Sequence, residues 1–345
     1  MECKRVAVIG ATGYTGIEVV RLLLNHPSVT IEYLSANQNT GLLSEIYPHI
    51  LNDDLFVIST DEAYFDNLDA VFLCLPHGQS NRLVAKIPKK VKIIDLSADF
   101  RIKNLSLYEE WYGAHKSPDL VKGAVYGLSE IHIENIKTAR LVACPGCYAT
   151  AVLLPLLPLL GLGIVKEEHI IIDAKSGVSG AGRSLSSENL FCEVNGSVKA
   201  YKISNHRHIP EIEQEAGLIL QKGVQDIKVQ FVPHLIPINR GILCSMYLNL
   251  KENYSLDDIN SKLRSFYKDA PFVAINANKS INIRSVVGTN QCQIGIFLGR
   301  VENSIVVVSA IDNLLKGAAG QALQNFNIMF SFDEMTGLSN IPFYP

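Results

Sequence analysis

Three glycines, each separated by two residues, constrain the fold of this chain more than any other feature. The segment Gly10-Ala-Thr-Gly13-Tyr-Thr-Gly16 follows a strand-like run at residues 5–9 and precedes an amphipathic run at residues 17–24. In a strand–loop–helix unit, glycines permit a tight turn, and the N–H groups at the helix end attract a pyrophosphate. The spacing is GxxGxxG and not GxGxxG, but the context favours a dinucleotide site over a purely structural turn.

The loop and the end of the second predicted strand supply the candidates for binding a dinucleotide. The second strand, residues 30–35, is followed by Ala36 and Asn37. Neutral polar groups therefore stand where an NAD site usually carries Asp or Glu. This favours NADP, although no arginine stands there to bind its 2′-phosphate. The candidates are Gly10, Thr12, Gly13, Tyr14, Thr15, Gly16 and Ser35.

Strand-like and helix-like patterns alternate through the N-terminal part of the chain. Strands separated by helical patterns form βαβ units, which predict an α/β Rossmann-like domain with a doubly wound parallel sheet. The predicted strands are residues 5–9, 30–35, 70–75, 93–96 and 140–144.

Beyond Cys147 the pattern changes to apolar or alternating runs. A turn at residues 300–304 and a helix at residues 256–267, with Ser255 as its N-cap, predict an α+β domain with a mainly antiparallel sheet. A last helix is expected at residues 313–327. The predicted strands are residues 170–175, 228–232, 242–250, 293–298 and 305–310.

The composition indicates a folded protein with two domains. Of 345 residues, 48% are hydrophobic and 19% charged, which argues against disorder, and the net charge of −3 gives no case for nucleic acid or an acidic membrane as a partner. The longest apolar stretch, residues 151–165, is too short to span a bilayer. The first residues lack a secretory signal and the seven cysteines are scattered, so a reducing, cytoplasmic location is expected.

Cys147 stands between a predicted strand and an apolar helix predicted at residues 149–160. The positive end of a helix dipole favours the nucleophilic thiolate, so a thiol placed there is a candidate nucleophile. The alternatives are a buried packing cysteine and a CxxC redox pair with Cys144, although Cys144 ends a strand in a large chain. No second CxxC motif is present and no histidine pair lies near these cysteines in the sequence, so no metal is expected.

The densest histidine cluster is Asn205-His206-Arg207-His208-Ile209-Pro210-Glu211. In an extended segment, residues i and i+2 point to opposite sides, so only one of His206 and His208 is expected to face a given site. Glu211 is suited to orient His208. A cysteine nucleophile needs a base that takes its proton and returns one, and this cluster is the best candidate, with surface histidines as the alternative.

With these segments in this order, the chain resembles the family of N-acetyl-gamma-glutamyl-phosphate reductases. That family is related to aspartate-semialdehyde dehydrogenase and, in mechanism, to glyceraldehyde-3-phosphate dehydrogenase. The resemblance rests on the glycine loop, the Pro-Gly-Cys147-Tyr-Ala-Thr segment, the histidine cluster and five further blocks, so it spans nearly the whole chain. The further blocks are residues 95–101, 126–130, 176–183, 233–241 and 312–321.

The resemblance implies a reaction. N-acetylglutamyl 5-phosphate and NADPH would give N-acetylglutamate 5-semialdehyde, NADP and phosphate, reversibly, as a step of arginine biosynthesis. Cys147 would form a thioester with the acyl group. His208 or His206 would act as acid and base, with His208 favoured because of Glu211. Backbone N–H groups at the start of the Cys147 helix would stabilise the oxyanion.

The resemblance also implies binding residues and a domain division. Arg101 and Arg240, with Glu211, are expected on the substrate side, because guanidinium suits phosphate and carboxylate groups. The family's last helix packs on the cofactor domain, so residues 1–146 and 311–345 would bind the dinucleotide and residues 147–310 would serve catalysis and dimerisation. A homodimer or homotetramer is expected. The residues near the nicotinamide would be Ser176, Gly177 and Asn313, and Pro76 would bind the cofactor at the end of its parallel strand.

Two other functions are compatible with these residues. One is the same chemistry on another acyl phosphate, such as carrier-linked aminoadipyl phosphate or aspartyl phosphate. The other is a non-catalytic dinucleotide-binding protein, which would keep the glycine loop and have no use for Cys147.

Overall fold

The computed structural model describes residues 3–50, 52, 54–223, 226–277, 279–338 and 341–343. The chain forms two compact units. Unit 1 comprises Met1–Pro145 and Ala318–Leu338, and unit 2 comprises Gly146–Gly317 and Ser339–Pro345.

Unit 1 contains an eight-stranded sheet in the order β3-β4-β2-β1-β5-β6-β8-β7. Every neighbouring pair is parallel except β3 with β4, as a doubly wound sheet requires. The predicted parallel sheet is thus confirmed. The strands are β1 (Lys4–Ile9), β2 (Val29–Ala36), β3 (Gly41–Leu42), β4 (Phe56–Ser59), β5 (Ala70–Leu73), β6 (Lys92–Asp95), β7 (Ala124–Tyr126) and β8 (Leu141–Ala143).

Helices connect these strands, and their apolar faces bury side chains against the sheet. In the first helix Val19, Val20 and Leu23 are buried, which stabilises the fold by about 1.5–3 kcal/mol for each large aliphatic side chain. The helices are α1 (Tyr14–Leu24), α2 (Leu43–Ile46), α3 (Ser80–Leu83), α4 (Leu105–Tyr112), α5 (Pro118–Val121) and α6 (Ser129–Thr138).

Unit 2 begins with α7 and holds a seven-stranded sheet in the order β10-β11-β9-β12-β15-β14-β13. The pairs β9–β11 and β13–β14 are parallel and the other pairs antiparallel, so the predicted sheet is confirmed in a mixed form. The elements are α7 (Cys147–Gly161), β9 (Ile170–Gly177), α8 (Phe191–Val194), β10 (Lys199–Ala200), α9 (Ile209–Ile219), β11 (Val229–Ile236), β12 (Ile242–Asn249), α10 (Leu256–Phe266), β13 (Val273–Ile275), β14 (Cys292–Leu298) and β15 (Ser304–Ile311).

Two helices of unit 2 illustrate how local sequence sets local structure. In α10, the hydroxyl of Ser255 accepts from the Asp258 N–H at 3.1 Å and the Asp258 carboxylate accepts from the Ser255 N–H at 3.4 Å, so the predicted N-cap is confirmed as a capping box. Helix α7 is apolar on all sides and is buried along almost its whole length. None of the helices that the structure describes combines the length and apolarity needed to cross a membrane.

The last helix was predicted at residues 313–327, and the structure is helical over most of this range. It is not one continuous α-helix. The structure has a π-helical turn, Leu315–Ala319, followed by α11 (Gly320–Met329), which belongs to unit 1. Asp312 caps this start, because its Oδ1 accepts from the N–H groups of Leu314 at 2.8 Å and Leu315 at 3.2 Å. The chain passes from unit 2 to unit 1 inside this segment.

Candidate active site

Two of the three loop glycines in unit 1 are required by the packing of the protein itself. A Cβ on Gly10 would lie 2.3 Å from the carbonyl oxygen of Cys74, and Gly10 has a φ of +83°, which disfavours other residues. A Cβ on Gly16 would lie 2.1 Å from the oxygen of Gly10. The loop is also tied to β2, since the N–H groups of Gly10 and Ala11 donate to the carbonyl of Ser35 at 2.8 and 2.9 Å.

Gly13 differs from the other two glycines. It is the N-cap of α1 with an ordinary extended conformation, φ −79° and ψ 164°, and a Cβ there would meet only the Gly10 oxygen at 3.7 Å. No acidic side chain stands in the first turn of α1. The protein therefore does not require a glycine at position 13, whereas a phosphate approaching the backbone at the helix end does. The loop fits the pyrophosphate of a dinucleotide.

The other dinucleotide candidates of unit 1 differ in accessibility. Tyr14 and Pro76 are exposed, and the carbonyl of Thr12 accepts from the Tyr47 hydroxyl at 2.7 Å. The side chain of Ser35 is fully buried, so Ser35 acts on the loop through its backbone. Asp99, which sequence reasoning missed, holds the loop after β5: its carboxylate accepts from Gly78 N at 2.6 Å and Asn81 N at 2.9 Å.

In unit 2, Cys147 is the first residue of α7 and Gly146 is its N-cap. Gly146 donates its N–H to the Glu211 carboxylate at 2.9 Å, and Glu211 is completely buried. A Cβ on Gly317 would lie 2.7 Å from the Cβ of Cys147, so a glycine at 317 makes room for the cysteine. The first turn of α7 is thus fixed from two sides, with Cys147 at the positive end of the helix.

The imidazole of His208 lies against the residue that precedes the cysteine. A Cβ on Gly146 would be 2.2 Å from His208 Nε2 and 2.5 Å from both Cδ2 and Cε1. Only a glycine at 146 leaves space for this ring. The sequence cluster is therefore brought to the start of α7, although 60 residues of chain separate the two segments.

His206 occupies a buried aromatic cluster. Its ring centroid lies 5.4 Å from that of Tyr148, 5.3 Å from that of Phe231 and 4.7 Å from that of His208. His206 Nδ1 accepts from the N–H of His208 at 3.2 Å, so the proton of the neutral ring is on Nε2. Burial, and then the neighbouring His208 and Lys202, lower the pKa of His206 to about 2.

Both histidines line one cavity, so the expectation that only one of them faces the site is wrong. The segment that carries them is a turn leading into α9 and not an extended strand, which removes the alternation of sides. Their roles differ all the same: His206 supports the backbone of His208, and His208 contacts the turn of the cysteine.

The depressed pKa of His206 predicts a loss of stability in acid. A histidine in an unfolded chain titrates near pH 6.5, whereas His206 in the fold stays neutral down to about pH 2. Below pH 6.5 the unfolded state therefore binds a proton that the folded state does not, and stability falls as pH falls. At pH 5 the free energy of unfolding is therefore about 2 kcal/mol lower than at pH 8 because of His206.

Urea unfolding of wild type and His206→Asn at both pH values measures this loss. The variant should lose less stability between pH 8 and pH 5, and equal losses would contradict the assignment.

The cavity at Cys147 has a volume of about 140 Å³. Two tyrosines belong to its wall: burial raises the pKa of Tyr148, and burial raises that of Tyr201 to about 12, so both remain neutral hydroxyls. Two cations, Lys202 and Arg207, also line it, and sequence reasoning missed both as binding residues. The position of Arg207 between the two candidate histidines could have identified it as a binding residue from the sequence. The lining residues are Cys147, Tyr148, Ser176, Gly180, Tyr201, Lys202, His206, Arg207 and His208.

The two arginines predicted for the substrate are not among the residues that line this cavity. Arg101 is buried in unit 1 and donates to the Leu96 carbonyl at 2.9 Å. Arg240, in unit 2, lies 3.5 Å from the fully buried carboxylate of Asp312. Glu211, the third residue predicted on the substrate side, accepts from the N–H of Gly146 at 2.9 Å.

Three residues predicted near the nicotinamide belong to unit 2 and are held by its own packing. Ser176 lines the cavity, whereas a Cβ on Gly177 would lie 2.7 Å from the Asn239 oxygen. Asn313 joins two loops, because its Oδ1 accepts from Gly241 N at 2.7 Å and its Nδ2 donates to the Ser179 hydroxyl at 3.0 Å. Asn313 is therefore not a helix cap.

Cys144 has the environment of a packing residue. Its thiol is 1% exposed, and burial raises its pKa to about 12. Asn325 Nδ2 lies 3.7 Å from its sulfur. A thiol that stays protonated at neutral pH is a poor partner for thiol–disulfide exchange, which argues against a Cys144–Cys147 redox pair.

Comparison with known proteins agrees with this geometry. Residues 5–139 match the family model described as semialdehyde dehydrogenase, NAD binding domain, and residues 147–313 match the one described as semialdehyde dehydrogenase, dimerisation domain. An N-acetyl-gamma-glutamyl-phosphate reductase of Ehrlichia canis (strain Jake) is 58% identical over 98% of both chains. A probable chloroplastic N-acetyl-gamma-glutamyl-phosphate reductase of Arabidopsis thaliana is 44% identical over 99% of this chain and 85% of its own.

Solved structures show the same fold at low sequence identity. Aspartate semialdehyde dehydrogenase with NADP from Candida albicans superposes with a TM-score of 0.71 at 17% identity, over 95% of this chain and 99% of the other. The matched domains and the full-length relatives together establish that this chain is an oxidoreductase that binds a nicotinamide dinucleotide and belongs to the N-acetyl-gamma-glutamyl-phosphate reductase family, within the semialdehyde dehydrogenases.

Proposed function

We propose that this chain catalyses the reversible, NADPH-dependent reduction of N-acetylglutamyl 5-phosphate to N-acetylglutamate 5-semialdehyde and phosphate, a step of arginine biosynthesis. The observation that carries the proposal is the His208 imidazole, packed against the residue before Cys147 at the start of α7. Relatives that are 58% identical carry the name of this reductase, which supports the choice of substrate.

Cys147 acts as the nucleophile. His208 takes the thiol proton, and the thiolate at the positive end of α7 attacks the acyl carbon. The carbon–oxygen bond breaks, and phosphate leaves with the electron pair and takes a proton from solvent. The N–H groups of the first turn of α7 stabilise the negative oxygen on the acyl carbon.

His208 then serves as the acid. NADPH, when bound, would supply the hydride that reduces the thioester. His208 returns its proton to the oxygen, and it takes the proton back when the carbon–sulfur bond breaks and the aldehyde leaves. His206 Nδ1 accepts from the His208 N–H and so holds the backbone of the base, and Glu211 accepts from the N–H of Gly146 and so holds the residue before the nucleophile.

The glycine loop of unit 1 would hold the pyrophosphate of NADPH at the N-terminus of α1. Gly13 provides the close approach, and Gly10 and Gly16 shape the turn. The residues at the end of β2, Ser35, Ala36 and Asn37, are uncharged. They support NADP over NAD, because no carboxylate there would repel the 2′-phosphate.

Substitution at Gly13 separates ligand binding from folding. A Cβ at Gly13 meets no protein atom closer than 3.7 Å, so Gly13→Ala should leave the unfolding temperature nearly unchanged. It should raise the Kd for NADPH at least about tenfold, because the methyl group fills the space for the phosphate. Nicotinamide fluorescence titration measures the Kd, and thermal unfolding measures the stability.

The control is Gly16→Ala, whose Cβ would stand 2.1 Å from a backbone oxygen, and this variant should instead destabilise the fold. Unchanged NADPH affinity in Gly13→Ala would contradict this role of the loop.

Three broader expectations belong to this proposal. Residues 1–146 and 311–345 would form the dinucleotide-binding domain and residues 147–310 the catalytic and dimerisation domain. The active form would be a homodimer or homotetramer, supported by the match to a dimerisation domain. The location would be cytoplasmic, supported by seven cysteines without a disulfide framework in the sequence.

The test of the reaction is NADP reduction, followed at the nicotinamide absorbance. N-acetylglutamate semialdehyde and aspartate semialdehyde are compared, each with and without phosphate. Phosphate-dependent turnover of the acetylated substrate alone is expected. Turnover of neither substrate by a folded protein that binds NADPH would contradict the proposal and favour another acyl phosphate.

A further inference from the structure

Resting on the proposed function, we propose that Lys202 and Arg207 form an anion-binding subsite for the phosphoryl group of the acyl phosphate, beside Cys147. Both side chains line the cavity that contains the nucleophile.

The residues on both sides of Arg207, His206 and His208, are fixed by packing. His206 is fixed in the aromatic cluster, and His208 is packed on Gly146. Arg207 therefore extends from a short turn between two anchored rings. A guanidinium can bind phosphate through two parallel N–H bonds, which suits a fixed position.

The backbone at Lys202 is held as well, in a conformation that few residues adopt. Lys202 has a φ of +46° and Ser204 one of +62°, both in the left-handed region. Tyr201 N donates to the Pro233 carbonyl at 3.1 Å, and Asn205 N donates to the Lys202 carbonyl at 3.2 Å. Left-handed conformations of non-glycine residues persist where the surroundings impose them, and they concentrate at functional sites.

The charges of both side chains act on another residue that lines the cavity. Lys202 and Arg207 act electrostatically on His206, and both disfavour its protonated form. Glu211 opposes them there, but it is fully buried and bonded to Gly146 N. With the positive end of α7, the two cations give the surroundings of Cys147 a positive potential that favours an anion.

The size of the cavity indicates which anion. At about 140 Å³ it is smaller than the roughly 300–1,000 Å³ of pockets that enclose a whole ligand, so it encloses the reacting group of the substrate. The phosphoryl group is joined to the acyl carbon through one oxygen, whereas the carboxylate lies four carbon–carbon bonds away. The anion that enters the cavity with the reacting carbon is therefore the phosphoryl group.

Kinetics in the oxidative direction test this assignment, because phosphate and semialdehyde are then separate substrates. In Arg207→Gln and in Lys202→Gln, the KM for phosphate should rise at least about tenfold, and the KM for semialdehyde should change less than about twofold. Arg207→Lys should have a KM for phosphate between those of wild type and Arg207→Gln. Lysine keeps the positive charge but lacks the paired N–H donors of the guanidinium. The matched control is Lys199→Gln, which removes an exposed lysine paired with Glu188 at 2.7 Å and should leave both KM values unchanged.

A second measurement does not depend on turnover. Inorganic phosphate should slow the alkylation of Cys147 by iodoacetamide, and half-protection should need at least about tenfold more phosphate in Arg207→Gln than in wild type. A rise in the KM for semialdehyde alone would overturn the assignment and place the carboxylate at these cations. Equal half-protection in wild type and variants would overturn it as well. Absence of turnover by wild type, with phosphate protection intact, would contradict the proposed reaction and leave the subsite supported.

Discussion

Cys147→Ala is expected to abolish NADPH oxidation, with a fall in kcat of at least about 10⁴-fold, while NADPH binding stays intact. The substitution removes only the sulfur, so no thioester can form. The fold should be kept, because alanine retains the Cβ beside Gly317 and the first turn of α7 keeps its bond from Gly146 to Glu211. Turnover measures the loss, and fluorescence titration with NADPH measures the binding.

The matched control is Cys192→Ala, which removes an exposed cysteine that is not among the residues lining the cavity. It should turn over like wild type. Residual activity of Cys147→Ala above about 10⁻⁴ of wild type would contradict the nucleophile assignment. Loss of both turnover and NADPH binding would show damage to the fold, which thermal unfolding would detect.

His208→Asn is expected to lower kcat/KM by about 10²–10⁴-fold, the usual contribution of a general acid and base. Asparagine keeps the backbone N–H that donates to His206 Nδ1, so the turn before α9 should survive. His206→Asn should have the smaller effect on rate and act mainly on stability. If His206→Asn gave the large loss and His208→Asn did not, the roles of the two histidines would be exchanged.

A second variant changes the position of the ring and keeps its chemistry. In Gly146→Ala the new Cβ would stand 2.2–2.5 Å from three ring atoms of His208, so the ring must leave its position against residue 146. The backbone of Gly146, with φ −67° and ψ 149°, accepts alanine without strain. Gly146→Ala should lower kcat/KM, as His208→Asn does, and should leave the affinity for NADPH unchanged. Gly123→Ala, whose Cβ would meet only a carbonyl oxygen at 3.8 Å, is the control and should be neutral.

Much of the fold followed from local pattern. The long strands of both sheets and the capped helix α10 were predicted because periodic apolar residues and caps act over a few neighbouring residues. The short strands β3, β4, β7, β10 and β13 were not predicted, because two to four residues show no period of their own. The equally short β5, β6 and β8 were predicted only because they lie in continuous apolar runs between helical patterns. The parallel pairing of β11 with β9 also needed the structure, because strand order depends on the packing of the whole unit.

The sequence by itself determined which chemical groups the protein has and where local geometry exposes them. A glycine loop after a strand, a cysteine at a helix start and a histidine cluster are each defined within about ten residues of chain. Only the tertiary structure decided how these groups act. It placed His208 on Gly146, buried His206 as a support, engaged Arg240 with Asp312 and put Lys202 and Arg207 at the cavity. Such contacts join residues far apart in sequence, and their distances depend on the packing of many side chains at once, which no local pattern encodes.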